Sequence, residues 1–286
     1  MTQYYRIRLS APLAPSEQQT ITISFATLSS VVPLPDKVLM TEKQYLQYTF
    51  SSYMSSAYTT LKQKTKVKFP SADVTDFTIL PGVNSDNAED PQRQGSTFTY
   101  GPYGEVPAGA AEAVSVRYEF TKPVNHVSLL ERDIEVSHWG GNLAIEERYW
   151  LENRAAGLKD HFSRVAWASS QYYNPPTVAL KLLSLPLAVG SLNPYFVDDI
   201  GNVSTSRFRS NSREAMLELK PRYPVFGDWK YKFKVGWDQD LKTALRKFGG
   251  GNSHVLRVPF LEGPKQSEGV EYKKVQLRVI LPEGAT

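Results

Sequence analysis

The chain of 286 residues contains no cysteine, which excludes disulfides, thiol nucleophiles and thiolate metal sites. It lacks any apolar run approaching the roughly 20 residues that a membrane-spanning helix needs, and no signal peptide precedes the polar alternation at its start. The formal net charge is only +4. The basic clustering typical of nucleic-acid binders is missing, so we expect protein, glycan or lipid-surface partners and no nucleic acid.

Catalytic motifs are missing as well. The four histidines, at positions 126, 138, 161 and 254, do not stand at metal-ligand spacing from one another. There is no Gly-x-Ser-x-Gly elbow and no phosphate-binding glycine loop, and Gly249–Gly251 is typical of a flexible turn. The residues therefore predict no catalytic, cofactor-binding or metal site.

What the chain does contain is frequent turn residues, 18 Gly and 19 Pro, between short segments of alternating polar and apolar character. Such alternation predicts strands with one buried and one solvated face. Many short strands separated by turns favour an all-β chain built from sandwiches or open barrels. The clearest predicted strands are residues 4–9, 20–25, 114–120 and 275–280.

Helical signal is confined to two segments. Leu241–Phe248 is the better candidate, with Asp238 or Asp240 as its N-cap and Gly249 at its end. Residues 45–58 are a weaker candidate, because their many Tyr, Ser and Thr residues suit a strand or loop at least as well. Residues 82–95 have almost no apolar side chains and predict a mobile loop.

A change of pattern near Pro123–Asn125 indicates two domains. We expect residues 1–125 to be the C-terminal part of an incomplete first β domain, because the chain opens within a strand. We expect residues 126–286 to form a second β-sandwich domain.

Two acidic groups each admit two interpretations. Glu131, Asp133 and Glu135 alternate along one segment and would suit either a glycosidase-like acidic face or, as we favour, a solvated strand face. Asp238 and Asp240 would suit a divalent metal, but their place before the helix candidate favours a capping role. The adjacent pairs Glu146–Glu147 and Asp198–Asp199 are expected to point to opposite faces of strands.

A row of lysines and a group of aromatic residues are equally ambiguous. The lysines at 62, 64, 66 and 68 share one strand face; they would meet anionic headgroups or an acidic partner, or protect an edge strand, which we favour. The aromatic residues would form a sugar-stacking platform or, as we favour, pack in a sandwich core. They are Trp139, Trp150, Trp167, Tyr172 and Tyr173.

One motif has a clear mechanism. Asn202-Val203-Ser204 is an N-glycosylation acceptor and the only one in the sequence. It permits a lumenal or secreted location.

Several long blocks, taken in order, closely resemble the ribophorin I family, whose members are subunit 1 of the oligosaccharyltransferase of the endoplasmic reticulum. The resemblance covers nearly the whole chain. The matching blocks are residues 100–103, 106–108, 130–140, 158–164, 195–206, 217–230 and 279–285.

The resemblance implies two β-sandwich-like domains, similar to the non-catalytic N-terminal domains of certain zinc aminopeptidases. It implies a non-catalytic lumenal subunit that supports transfer of a glycan from dolichyl diphosphate to Asn in Asn-x-Ser/Thr sequons, with the chemistry in another, membrane-embedded subunit. The family has a signal peptide, a complete first domain and a membrane anchor, so we expect a lumenal fragment of a single-pass membrane protein. The partners it implies are the other subunits and the nascent polypeptide.

Two of these blocks hold residues that we expect to be partner contacts or structural motifs. His138 and Trp139 stand in the first, beside Gly140–Gly141 as a tight turn. Arg222 and Trp229 stand in the second and are expected to shape a corner of the sandwich. The alternative function is a stand-alone glycan- or peptide-binding module.

Overall fold

The computed structural model describes residues 8, 12–81, 90–249 and 253–285. Strands dominate these residues, and the helices among them are three short segments. The predicted all-β class is therefore confirmed.

The first part of the chain forms two facing sheets, here called the first sandwich. One sheet has the strand order β1-β3-β8-β5 and the other has the order β4-β7-β6. Apolar side chains from both sheets meet in one core, which includes Leu46, Phe98 and Val116. The strands are β1 (Val31–Pro33), β2 (Lys37–Val38), β3 (Tyr45–Ser51), β4 (Gln63–Lys68), β5 (Val74–Phe77), β6 (Gln92–Gln94), β7 (Thr97–Tyr103) and β8 (Ala113–Glu119).

The second part forms a larger pair of facing sheets, the second sandwich. Its main sheet has seven strands in the order β14-β13-β17-β10-β9, with β20 and β21 both pairing β9 in parallel. The covering sheet has the order β12-β16-β15. The strands are β9 (Asn125–Ser137), β10 (Asn142–Asn153), β11 (Gly157–Leu158), β12 (Leu183–Leu187), β13 (Leu192–Asp198), β14 (Gly201–Asn202), β15 (Arg207–Ser210), β16 (Ala215–Leu219), β17 (Lys230–Asp240), β18 (Leu245–Lys247), β19 (His254–Leu256), β20 (Val270–Tyr272) and β21 (Val275–Ile280).

Among the described residues, helix occurs only in the connections of the second sandwich. Helix α1 (Arg164–Ser170) begins at the N-cap Ser163, whose side chain accepts from the N–H of Ala166, and a 3-10 turn (Gln171–Tyr173) follows it. Helix α2 (Leu241–Ala244) follows β17 directly.

Alternation along β10 illustrates why these residues form a sandwich. Every second residue from Leu143 to Asn153 is buried, and the residues between them are partly exposed. Because successive side chains of a strand point to opposite faces, this sequence covers the core with one face and leaves the other to solvent. The inward side chains pack with Leu185 and Leu217 of the covering sheet.

The two sandwiches meet at a small apolar group, the junction cluster. It consists of Val38, Ala155, Ala156, Val178, Ala179 and Phe226. Strand β2 pairs in parallel with β11 across this junction. The buried Gln44 side chain donates to the carbonyl groups of Phe120 and Lys122 and accepts from the N–H of Ala156. Buried Asn153 accepts from the N–H of Val124 on the same junction.

Two predicted strands are confirmed, one is wrong and one is outside the described residues. Strands β8 and β21 match residues 114–120 and 275–280. Residues 20–25 form no strand, and Ile21, Ile23 and Phe25 are exposed. Alternation alone does not make a strand, because a strand also needs a hydrogen-bonded neighbour. Of residues 4–9, only residue 8 is described.

The helix candidates were partly right. Asp240 caps α2 by accepting from the N–H of Lys242 at 2.9 Å, as predicted, but the helix ends at Ala244. The next residues become β18 because they pair with β19, and a ladder to a neighbouring strand outweighs weak helix propensity. The 45–58 segment is a strand only as far as Ser51.

The predicted loop at 82–95 is wrong where it is described. Residues 82–89 lie outside the described residues. Asp90 is buried, and β6 pairs with β7. The lysine row fits the prediction better, because Lys64, Lys66 and Lys68 project from β4, an edge strand of its sheet. Lys62 lies just before the strand.

Candidate functional site

The acidic residues of β9 lie on the outer face of the seven-stranded sheet. Arg148 of β10 lies 3.5 Å from Glu131 and 3.6 Å from Asp133. Arg278 of β21 donates two hydrogen bonds of 2.6 Å to Asp133. Guanidinium groups therefore pair with Glu131 and Asp133, as expected for a solvated strand face.

A polar depression of about 530 Å³ lies on this outer face, lined by Asp133, Glu135 and Arg148 and by the small residue Ala144. The Tyr195 ring covers Gly236, since a Cβ there would lie 2.4 Å from the ring. The Tyr195 hydroxyl donates to Glu146 at 2.5 Å. Burial raises the pKa of Glu146, but the hydrogen bonds from Tyr195 and Arg148 outweigh it, so the pKa of this carboxyl lies below its usual value.

Asp238 and Asp240 have separate structural roles. Asp238 accepts from the side-chain amides of Asn142 and Asn193 at 3.2 and 3.1 Å, whereas Asp240 caps α2. Throughout the described part of the chain, no group of three or more His, Asp or Glu side chains is arranged to hold a metal ion.

His138 and Trp139 lie in the turn between β9 and β10, here called the hairpin tip (residues 138–141). The Trp139 side chain is 91% exposed, and its ring lies 5.6 Å from that of His138. Gly141 has φ +66°, a left-handed conformation that favours glycine. The turn thus presents a large aromatic side chain to solvent, and tryptophan is among the residues that contribute most to protein interfaces.

Asn202 ends the short strand β14 and its side chain is exposed. The next residue, Val203, is buried, and the Thr205 hydroxyl donates to the carbonyl of Lys220. The acceptor nitrogen therefore faces solvent on an ordered segment, where a glycan has room.

Arg222 anchors the segment that follows β16. Its guanidinium donates to Asp198 at 2.9 and 3.1 Å and to the carbonyl of Asn202 at 3.2 Å. The hydrogen bond from Arg222 lowers the pKa of the Asp198 carboxyl, and hydrogen bonds from the N–H groups of Ile200 and Gly201 lower it further. Burial raises this pKa, but by less. Arg222 thus links the segment that follows β16 to the end of β13, which forms a corner of the sandwich.

Trp229 lies where the second core and the junction cluster meet. Its ring contacts those of Phe162, Phe226 and Tyr223 at centroid distances of 5.7, 5.5 and 6.0 Å. The ring is only partly buried, so deleting it should cost less than deleting a fully enclosed tryptophan.

The five aromatic residues do not form one platform. Trp150 lies on the outer sheet face under Lys232, and Trp167 packs edge-on against Phe226. The core-packing interpretation is wrong for Trp150, which faces outward. It is also wrong for Trp139, Tyr172 and Tyr173, which are 91%, 81% and 86% exposed. All three lie in or after turns, where the alternation that predicts burial no longer applies.

Sequence reasoning missed a buried ionic network in the second core. Arg132 and Glu147 are both fully buried and face each other across β9 and β10, and Arg132 also binds Glu262. The Tyr149 hydroxyl donates to Glu147, whose pKa is raised by burial. The sequence did contain a signal. Arg132 and Glu147 stand at the alternate positions whose side chains point into the core. As predicted, Glu146 and Glu147 point to opposite faces.

In the residues that the structure covers, no helix has the length and apolar character needed to cross a bilayer.

Comparison with known proteins identifies relatives along the whole chain. The sequence profile of the family described as Ribophorin I matches residues 1–286. The chain is 34% identical over 286 residues to dolichyl-diphosphooligosaccharide–protein glycosyltransferase subunit 1 of Schizosaccharomyces pombe, covering 99% of this chain and 61% of that protein. It is 33% identical over 285 residues to subunit 1B of Arabidopsis thaliana, with coverage of 99% and 58%. It is 30% identical over 281 residues to subunit 1 of Caenorhabditis elegans, with coverage of 98% and 45%.

Proposed function

Because this chain belongs to the ribophorin I family, we propose that it is a non-catalytic part of an oligosaccharyltransferase, supporting glycan transfer from dolichyl diphosphate to Asn in Asn-x-Ser/Thr sequons. The observation that carries the proposal is the match along 99% of the chain to proteins named as glycosyltransferase subunit 1. The chain spans about three-fifths of the length of these relatives. The activity and partners of the whole protein therefore belong to this proposal.

A structural role for the acidic residues supports the non-catalytic assignment. Asp133 is held by Arg278, Asp240 caps a helix and Glu147 binds Arg132 in the core. We place the glycosyl-transfer step in a membrane-embedded neighbour subunit. In this proposal, the present chain acts as a scaffold that binds other subunits.

We place the chain in the lumen of the endoplasmic reticulum, as part of a single-pass membrane protein, with Asn202 as a glycan acceptor. The exposed side chain of Asn202 on an ordered strand supports this. Peptide-N-glycosidase treatment of the protein from microsomes should shift its mobility, and Asn202→Gln should abolish that shift. An unchanged mobility of the unmodified sequence would remove the support that the sequon gives to this location.

We also propose that the domain division falls near residue 125. Two separate apolar cores, one per sandwich, support it. Residues 126–286 expressed alone should fold cooperatively if this division is right.

The hairpin tip is our proposed contact with another subunit, because Trp139 is a large aromatic side chain that is almost fully exposed. The test is a pull-down of the epitope-tagged, full-length membrane protein from detergent-solubilised microsomes, with the paired change His138→Ser and Trp139→Ser. We expect loss of the catalytic subunit from the captured material and loss of its transfer activity toward an Asn-x-Thr peptide.

The matched control replaces another exposed aromatic pair, Tyr172→Ser and Tyr173→Ser, and should leave capture intact. Equal capture by the tip variant would reject the tip as the contact. Glycosyl transfer by the purified chain alone would reject the non-catalytic role, and saturable glycan binding by it would favour the alternative of a stand-alone binding module.

A further inference from the structure

A second and larger depression, the corner groove, lies between α1 and the segment that follows β16. It has a volume of about 820 Å³, in the range of ligand-binding clefts. Three rings contribute to its surface, those of Phe162, Trp167 and Tyr223. Neither the acidic outer face nor the hairpin tip belongs to it.

The rings are fixed from behind by the junction cluster. Phe162 and Trp167 contact Phe226 at centroid distances of 5.6 and 5.1 Å, and Phe226 is fully buried. Tyr223 packs on Tyr231 at 5.5 Å. An apolar surface that is already ordered loses little conformational freedom when a ligand covers it.

The rim of the groove is positively charged. Arg164, Lys181, Lys220 and Arg222 line it, and among the described residues of the lining none is a carboxylate. Arg222 is neutralised by Asp198, which lies behind it. Lys181 is held by neutral oxygens only, those of Gln171 at 3.1 Å and Asn174 at 2.5 Å, and burial lowers its pKa.

This combination fits a polypeptide better than a phosphate group. In a phosphate-binding site, guanidinium groups and backbone N–H groups point toward one common position. Here the cations come from three separate segments and the Arg222 fork already binds Asp198. The area between the cations is aromatic, which suits apolar side chains that alternate with carboxylates.

We propose that the corner groove binds an extended acidic polypeptide segment, with its apolar side chains on the three rings and its carboxylates facing Arg164, Lys181 and Lys220. This goes beyond the subunit role, since it concerns a site of the chain itself. Failure to capture the catalytic subunit would count against the subunit role but would not affect the proposed peptide site.

The test uses the purified 286-residue chain and a fluorescein-labelled peptide in which Glu or Asp alternates with Leu or Phe. Fluorescence anisotropy should show saturable binding that weakens with added salt. The variant Arg164→Glu with Lys220→Glu should weaken binding by about tenfold or more. Both residues are exposed, so the melting temperature and near-ultraviolet circular dichroism should not change.

The matched control is Lys66→Glu with Lys68→Glu on the edge strand of the first sandwich, which changes the net charge equally. Its affinity should stay within about twofold. Equal weakening by both variants would overturn the proposal, because it would show non-specific attraction. So would absence of saturable peptide binding, displacement of the peptide by equimolar inorganic pyrophosphate, or binding of phosphatidylserine vesicles in preference to the peptide.

Discussion

The two sandwiches bury polar groups in different ways. In the first sandwich, buried Asp90 accepts from the Tyr103 hydroxyl and from the N–H of Gly101, beside a core rich in aromatic rings. In the second sandwich, two buried charges of opposite sign face each other in the core, and Arg132 also binds Glu262. The second core therefore holds a buried cation between two carboxylates, whereas the first uses one carboxylate as a hydrogen-bond acceptor.

The distribution of tryptophan makes this comparison measurable. All five tryptophans lie between residues 139 and 237, within the second sandwich and its connections. Tryptophan fluorescence thus follows the second sandwich and the junction cluster, and far-ultraviolet circular dichroism follows both sandwiches.

The largest effect is expected from Arg132→Leu. It leaves Glu147 without its cation in a site with no solvent contact, and breaking a buried pair in this way costs about 3–5 kcal/mol. Urea unfolding followed by tryptophan fluorescence should show the loss. Arg148→Leu, on the outer face of the same sheet, should cost no more than about 1 kcal/mol. Equal losses would show that the buried network stabilises the fold no more than a surface ion pair does.

Trp229→Ala should come next. Deleting a fully enclosed tryptophan costs about 3–5 kcal/mol, and this partly exposed ring should cost about 2–4 kcal/mol because it fills the space between the second core and the junction cluster. Trp139→Ala, at the exposed tip, should stay within about 0.5 kcal/mol. A thermal-unfolding curve unchanged by Trp229→Ala would contradict the corner role.

Asp90→Ala addresses the first sandwich. It leaves a buried hydroxyl and a buried N–H without their acceptor, a loss of about 1–3 kcal/mol. The effect should be visible in circular dichroism while the tryptophan transition keeps its midpoint. The exposed Asp76→Ala on β5 serves as the control. A shift of the tryptophan transition as large as that in circular dichroism would mean that the two sandwiches unfold as one.

The smallest effect, and the one that depends on pH, belongs to Arg222→Gln. Because the pKa of folded Asp198 is lowered, its stabilisation is present above the unfolded value of about 3.9 and is lost as the pH falls through the lower folded value. The variant should melt about 1–3 °C lower at pH 7, and the difference should shrink toward pH 3. Arg209→Gln, which removes a looser pair with Glu218 at 3.6 Å, should show no such dependence.

Local pattern predicted much of the fold and of the candidate sites. The alternation at 114–120 and 275–280 and the cap at Asp240 can be recognised from neighbouring residues in the sequence, and all three predictions are confirmed. Trp139 and Trp229 show what a local pattern cannot predict. Both are tryptophans in segments that resemble one family, yet one is in solvent and the other packs between two cores.

The order of residues by itself determined the β class, the edge position of the lysine strand and the family, because side-chain periodicity and long matching blocks are properties of the linear chain. Only the tertiary structure decided that residues 20–25 form no strand, that 245–247 leave the helix to pair with 254–256, and that Arg132 meets Glu262. Each of these depends on whether a pairing strand or a counter-charge lies alongside, and the free energy of a ladder or a buried ion pair exists only once that partner is in place.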